Sequence, residues 1–159
     1  MMKLEQLVIT EFKPDLIMVV GDVNSTVAAA ITANKLNIKI AHVESGLRSY
    51  DKTMPEEHNR IITDNITNYF LVTEQSGWDN LINDGVDERN LFFVGNTMID
   101  TMVAFEKEIE ESDILNTLQL EQKKYVLITM HRPATVDTKE GLRKLLDLLL
   151  HISKSYKIV

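Results

Sequence analysis

The chain has 159 residues, of which 44% are hydrophobic and 26% are charged, and it contains three Pro and six Gly. This composition is typical of a folded globular protein and excludes collagen-like and low-complexity classes. Lys and Arg number 17 against 24 Asp and Glu, so the formal charge of −7 argues against a nucleic-acid partner. The absence of Cys excludes disulfides and thiolate catalysis.

Residues 1–5 lack the apolar core of a signal peptide, and no apolar run approaches the length of a membrane span. We therefore expect a cytoplasmic protein without a membrane partner.

Strand and helix patterns alternate along the first two thirds of the chain. Apolar residues recur at helical spacing over 4–12, and the unbroken apolar run 16–20 is typical of a strand buried on both faces of a parallel sheet. The same patterns predict helices over 24–35 (capped by Asn24 or Ser25), 55–65 and 76–83, and strands over 38–43, 69–72 and 91–94. This alternation predicts an α/β fold with a Rossmann-like, doubly wound parallel sheet.

The remaining third predicts a second, incomplete domain. An amphipathic stretch covers 98–111, with Met98, Met102 and Phe105 expected in the core, and a polar segment follows over 112–124. A strand is predicted over 125–130 and a Leu-rich helix from about Thr138. We expect 1–111 to be the later part of a first domain, 112–124 a connector and 125–159 the truncated start of a second. The chain is therefore expected to be an internal fragment.

Three carboxylates are predicted at one edge of the sheet. Asp22 follows the first strand and Glu44 the second, and ligands of open parallel sheets bind beyond the carboxyl ends of the strands. Glu56 lies at the start of the next helix. Singly, Asp22 is explained as a helix cap, Glu44 as a solvated loop residue, and Glu56 as part of a capping box with Thr53 and an ion pair with Arg60. Together the carboxylates suit acid/base chemistry, with a hard-metal site as the alternative.

His131 and Arg132 follow the strand predicted over 125–130 and precede a helix that begins near Pro133. There, an imidazole and a guanidinium are placed to face a phosphate. The structural alternative is that His131 bonds a local backbone group. His58 and His151 are predicted to be surface residues.

Four ordered motifs resemble the non-hydrolysing UDP-N-acetylglucosamine 2-epimerase family. They are 42–48 (HVESGLR), 54–60 (MPEEHNR), 93–97 (FVGNT) and 129–132 (TMHR). The resemblance implies two Rossmann-like domains in the glycosyltransferase-B arrangement, with the active site in the cleft between them. It also implies interconversion of UDP-N-acetylglucosamine and UDP-N-acetylmannosamine, for cell-surface polysaccharide biosynthesis, by a homodimeric full-length parent.

The mechanism implied by the resemblance begins when a base removes the C2 proton and UDP leaves from C1. UDP then adds back after the opposite face has been protonated. Asp22, Glu44 and Glu56 match the acid/base candidates of the family, and His131, with Arg132 beside it, matches the substrate site. No metal or other cofactor is implied.

The chain also departs from the family pattern. Family members begin with a strand and a Gly-x-Arg-Pro-Glu loop and continue well beyond the position of Val159, and residues 133–137 differ from the commoner Glu-Asn pairing. We therefore expect the chain alone to be inactive. The alternatives are a hydrolysing 2-epimerase or related sugar-nucleotide enzyme such as a glycosyltransferase, and a catalytically inactive nucleotide-sugar-binding module.

Overall fold

The computed structural model describes residues 2–130 and 133–159. The chain divides into two compact units, Met1–Val103 and Ala104–Val159. The segment 112–124, predicted as a connector, falls within the second unit.

The first unit is built on a sheet of four parallel strands in the order β1-β2-β3-β4. The strands are β1 (Leu16–Val20), β2 (Lys39–Val43), β3 (Tyr69–Val72) and β4 (Leu91–Phe93). Val20 pairs with Val43, and Val43 pairs with Leu71, so the carboxyl ends of the first three strands meet at one edge. This confirms the predicted α/β fold with a Rossmann-like parallel sheet.

Helices precede, connect and follow the strands of this sheet. They are α1 (Met2–Leu7), which continues as a π-helix (Val8–Phe12), α2 (Asn24–Lys35), α3 (Pro55–Ile66), α4 (Gln75–Asn83) and α5 (Thr97–Ala104). The N-cap residue of α2 is Val23, which makes no side-chain capping bond, so the predicted cap at Asn24 or Ser25 is wrong.

Two apolar clusters form the core of the first unit. In one, Ala30 and Ala33 of α2 pack on Val19 and Ile40, because small side chains let the helix approach the sheet closely. The other comprises Phe70, Val72, Leu81 and Leu91 and joins α4 to β3 and β4.

Strand β1 is not buried on both faces, as its apolar run predicted. Leu16, Met18 and Val20 are 43%, 59% and 56% exposed, whereas Val19 is buried against α2. The reason is the position of β1 at the end of the strand order, where the described residues cover only the face that packs on α2.

The second unit contains a small parallel sheet. Its elements are α6 (Glu106–Glu110), α7 (Ile114–Thr117), β5 (Tyr125–Val126), α8 (Pro133–Val136), α9 (Lys139–Ile152) and β6 (Lys157–Ile158). Thr138 caps α9, since its Oγ1 accepts a hydrogen bond from the Gly141 N–H at 3.0 Å. Strand β5 is shorter than the predicted 125–130 because its partner β6 is only two residues long.

The predicted core positions in the amphipathic stretch 98–111 are wrong. Met98, Met102 and Phe105 are 63%, 64% and 54% exposed.

Within the described ranges, no helix combines the length and apolar character needed to cross a membrane.

Candidate active site

Asp22 lies just beyond β1, after a turn made by Gly21. Gly21 has a φ of +66°, which glycine adopts without steric cost, and its N–H donates to the Val43 carbonyl oxygen at 3.1 Å. The half-buried Asp22 carboxylate forms an ion pair with the guanidinium of Arg60. Asp22 is therefore bound by α3, and its carboxylate does not cap α2.

Glu44 follows β2 directly and also has a φ of +66°, which is uncommon for a residue other than glycine. Its N–H donates to the Leu71 carbonyl oxygen at 3.1 Å, so strand pairing continues up to this residue. A Cβ atom placed on Gly21 would lie 3.5 Å from Oε2 of Glu44. The Glu44 carboxylate thus lies beside the turn that carries Asp22.

Glu56 is in the first turn of α3, where Pro55 occupies a favourable position. The predicted capping box is wrong, because the N-cap residue is Met54 and the Thr53 hydroxyl donates to Asp51 Oδ1 at 2.7 Å.

Arg60 links two carboxylates from different parts of the chain. It pairs with Asp22, and its Nη1 lies 3.6 Å from Glu57 Oε2. The predicted ion pair with Glu56 is therefore wrong, although Glu56 and Arg60 are neighbours on the helix surface.

Asn59 binds the loop after β1 directly. Its side chain is 9% exposed, and Nδ2 donates to the Asp22 carbonyl oxygen at 2.8 Å and to Asn24 Oδ1 at 3.1 Å. Glu56 precedes Asn59 by one helical turn, so it lies on the side of α3 that faces this loop. Contacts from α3 therefore bring the Glu56 helix turn and the Asp22 loop together.

Glu57 anchors the loop that leads into α3. Its side chain is 2% exposed and accepts hydrogen bonds from the Ser49 N–H at 2.8 Å, the Ser49 hydroxyl at 2.9 Å and the Tyr50 N–H at 3.1 Å. Burial raises the pKa of Glu57, but these hydrogen bonds and the positive charge of Arg48 outweigh burial and hold the pKa below its ordinary value.

The contributions of Glu57 and Asn59, and the pairing of Arg60 with Asp22, were not predicted from the sequence. The available signal was the spacing of Glu57, Arg60 and Asp64, which at steps of three and four residues places charged groups on one face of a helix. A charged face is ordinarily solvated, but here the loops after β1 and β2 cover it.

The three predicted carboxylates differ in what binds them. The Asp22 carboxylate is paired with a cation, whereas the carboxylates of Glu44 and Glu56 have no hydrogen bond or ion pair to any residue within 2–130 or 133–159. Both glutamates are only partly exposed. An unpaired carboxylate beside the edge of a sheet is chemically free to accept or donate a proton.

The described residues contain no group of three or more His, Asp or Glu side chains suited to hold a metal ion. Asp22, Glu44 and Glu56 do not form such a group, so the alternative metal site predicted from these residues is not assembled.

His131 and Arg132 lie outside the described residues. Helix α8 begins at Pro133, directly after them. Within the second unit, a cavity of about 440 Å³ is lined by residues that include Met130, Thr138 and Lys144.

Known proteins match this chain over nearly its whole length. The family model described as UDP-N-acetylglucosamine 2-epimerase matches residues 1–159. A UDP-N-acetylglucosamine 2-epimerase homolog from Methanococcus maripaludis is 44% identical over 150 residues, which are 93% of this chain and 42% of the relative.

Solved structures give the same result. The crystal structure of the Methanocaldococcus jannaschii UDP-GlcNAc 2-epimerase in complex with UDP-GlcNAc and UDP has a TM-score of 0.84 at 36% identity, covering 96% of this chain and 42% of that one. The UDP-N-acetylglucosamine 2-epimerase from Rickettsia bellii has a TM-score of 0.88 at 33% identity, covering 99% of this chain and 41% of that one. The chain therefore spans less than half the length of these relatives.

Proposed function

The chain belongs to the UDP-N-acetylglucosamine 2-epimerase family, and from this we propose that the whole protein interconverts UDP-N-acetylglucosamine and UDP-N-acetylmannosamine. The whole protein means this chain together with sequence that completes the length of its relatives. The observation that carries the proposal is the convergence of Asp22, Glu44 and Glu56 at one edge of a parallel sheet. The Methanocaldococcus jannaschii complex with UDP-GlcNAc and UDP supports a UDP-sugar as substrate.

In the proposed reaction, a carboxylate removes the C2 proton of the sugar while the C1–oxygen bond to UDP breaks. The resulting glucal has a C1–C2 double bond. A second acid then protonates C2 from the opposite face, and UDP adds back to C1, so atoms and charge balance over the cycle. A general acid or base of this kind typically contributes about 10²–10⁴-fold to the rate.

We assign the two proton transfers to Glu44 and Glu56. Their carboxylates have no partner among the described residues, whereas the Asp22 carboxylate is held in an ion pair by Arg60. In this assignment Asp22 orients the site, and His131 and Arg132 supply donors to the departing diphosphate. The departing diphosphate needs hydrogen-bond donors and positive charge and requires no redox cofactor.

Analysis of the products tests the proposal. We expect the whole protein to convert UDP-N-acetylglucosamine into a mixture of the two UDP-sugars, with both ³¹P signals of each nucleotide sugar retained. Release of free N-acetylmannosamine and UDP would support a hydrolysing enzyme, and absence of any conversion would support an inactive binding module.

A matched pair of variants identifies the source of the activity. Glu44→Gln is expected to abolish most turnover, while Glu106→Gln, at an exposed position of α6, is expected to leave it unchanged. Equal loss in both variants would show that the effect is not specific to the carboxylate edge.

Several expectations about the whole protein remain predictions. They are the two-domain glycosyltransferase-B arrangement, the homodimer, the absence of a nucleic-acid or membrane partner, the cytoplasmic location and the inactivity of residues 1–159 alone. Sedimentation of the whole protein would measure its oligomeric state, and an activity assay of residues 1–159 would test the last point.

A further inference from the structure

His42 lies in β2 and is fully buried, and both of its ring nitrogens face oxygen atoms. Nδ1 is 2.7 Å from Oδ1 of Asp64, and Nε2 is 2.9 Å from the carbonyl oxygen of Gly21. A carbonyl oxygen can only accept a hydrogen bond, so Nε2 must carry a hydrogen. His42 therefore donates to the residue that precedes Asp22.

The other oxygen of Asp64 is bound by the loop after β2. Oδ2 accepts hydrogen bonds from Arg48 Nη1 at 2.6 Å and from the Gly46 N–H at 3.1 Å. Arg48 also bonds Asp84 at 3.0 Å. Burial lowers the pKa of Arg48, but its hydrogen bonds and charge interactions with Asp64 and Asp84 outweigh burial and raise the pKa above its ordinary value.

These contacts determine where the hydrogens lie. The Asp64 carboxylate accepts from both Arg48 and Gly46, and a bare Nδ1 on His42 would place a lone pair against its other oxygen. The contact is favourable only when Nδ1 also carries a hydrogen. With His42 doubly protonated, Arg48 and His42 balance the charges of Asp64 and Asp84.

We propose that His42 and Asp64 are positioning residues for the proposed reaction, with both nitrogens of His42 protonated and bonded to Gly21 and Asp64. His42 donates to the Gly21 carbonyl oxygen in the turn before Asp22. Asp64 accepts from the Gly46 N–H in the loop just after Glu44. Glu44 has a left-handed backbone conformation, which is costly for a residue other than glycine, so the loop after β2 depends on surrounding contacts to keep its shape. The proposal rests on the proposed function, because it assigns these residues to the geometry of that site.

Three variants of the whole protein test the proposal. His42→Phe keeps a planar ring but removes both hydrogen bonds, so we expect a loss in kcat of about 10²-fold, as for a small misplacement of catalytic groups, with a smaller change in KM. Asp64→Asn can donate from Nδ2 to a singly protonated His42 and still accept from Arg48 and Gly46 through Oδ1, so we expect kcat near wild type. His151→Phe, at an exposed position of α9, is the matched control and is expected to leave kcat unchanged.

The ¹⁵N NMR spectrum of the His42 ring provides a readout that is independent of activity. We expect two protonated nitrogens in the wild type and one bare nitrogen in Asp64→Asn. A bare nitrogen in the wild type, or a folded His42→Phe variant with wild-type kcat, would overturn the proposal.

If His42→Phe does not fold, kcat and the ¹⁵N NMR spectrum of Asp64→Asn decide the outcome. Loss of kcat in Asp64→Asn with unchanged protonation of His42 would overturn the proposal. A wild-type protein without epimerase activity would contradict the proposed function, while the NMR spectrum would still test the protonation of His42.

Discussion

Glu56 and Glu57 are consecutive residues of α3 in opposite environments. Glu57 is 2% exposed and its carboxylate accepts three hydrogen bonds from residues 49–50, whereas the Glu56 carboxylate has no hydrogen bond or ion pair to any described residue. The same substitution at these two positions therefore separates stability from catalysis.

We predict that Glu57→Gln lowers the free energy of unfolding of the whole protein at pH 7 by about 1.5–3 kcal/mol, because hydrogen bonds to a charged acceptor are lost. Glu56→Gln should change it by less than about 0.5 kcal/mol, as expected for a site without such contacts. Urea unfolding followed by circular dichroism measures both values. Equal destabilisation by the two substitutions would contradict the assigned roles.

The lowered pKa of Glu57 predicts a specific pH dependence. Its ionised form stabilises the fold fully above the pKa of an unfolded glutamate, about 4.3, and this contribution is lost as the pH falls through the lower pKa of the folded state. The difference in unfolding free energy between wild type and Glu57→Gln should therefore be constant from pH 7 to about 4.3 and narrow below that. A difference that stays constant down to pH 3 would show that the Glu57 carboxylate has no such role.

Gly46 and Gly85 form a second matched pair, with φ values of +80° and +84°. A Cβ on Gly46 would clash with the Gly77 carbonyl oxygen and lie 2.8 Å from Leu81 Cδ1, while nothing lies within 4 Å of one on Gly85. Gly85→Ala should cost about 1–2 kcal/mol for the left-handed backbone alone. Gly46→Ala should cost about 1–3 kcal/mol more, because the added carbon has no space. Similar thermal unfolding of the two variants would argue against close packing at the loop after β2.

Ser45 is fully buried beside Glu44, and its hydroxyl has no hydrogen-bond partner among the residues that the structure describes. Removing an unsatisfied polar group leaves stability unchanged or raises it, so we expect Ser45→Ala to be neutral or stabilising by about 1 kcal/mol. Ser49→Ala removes a hydroxyl that donates to Glu57 and should be destabilising. The order of the two unfolding free energies tests this, and a strongly destabilised Ser45→Ala would reveal a partner for that hydroxyl.

The sheet and its carboxylate-bearing edge were predictable from the sequence because they depend on local patterns. Apolar runs such as 16–20 define strands, and parallel topology brings the residues that follow them, Asp22 and Glu44, to one edge. The exposed face of β1 was not predictable, because a run of five apolar residues does not reveal which neighbours cover it.

The buried charges of α3 were harder to predict for a different reason. Glu56 and Glu57 are both helical neighbours of Arg60, so spacing alone cannot decide between them. The loops after β1 and β2 decide it by packing on α3, which brings Asp22 to Arg60 and Ser49 to Glu57. Similarly, the role of His42 follows from contacts with Gly21 and with Asp64, 22 residues away in sequence.

The central claim, that carboxylates at this edge move the C2 proton of a UDP-sugar, is tested most directly by epimerisation in D₂O. The whole protein should convert UDP-N-acetylglucosamine with replacement of the C2 hydrogen by solvent deuterium, measured by ¹H NMR. Glu44→Gln and Glu56→Gln should slow both processes by about 10²–10⁴-fold while remaining folded. Conversion that retains the original C2 hydrogen, or wild-type exchange in both folded variants, would contradict the account.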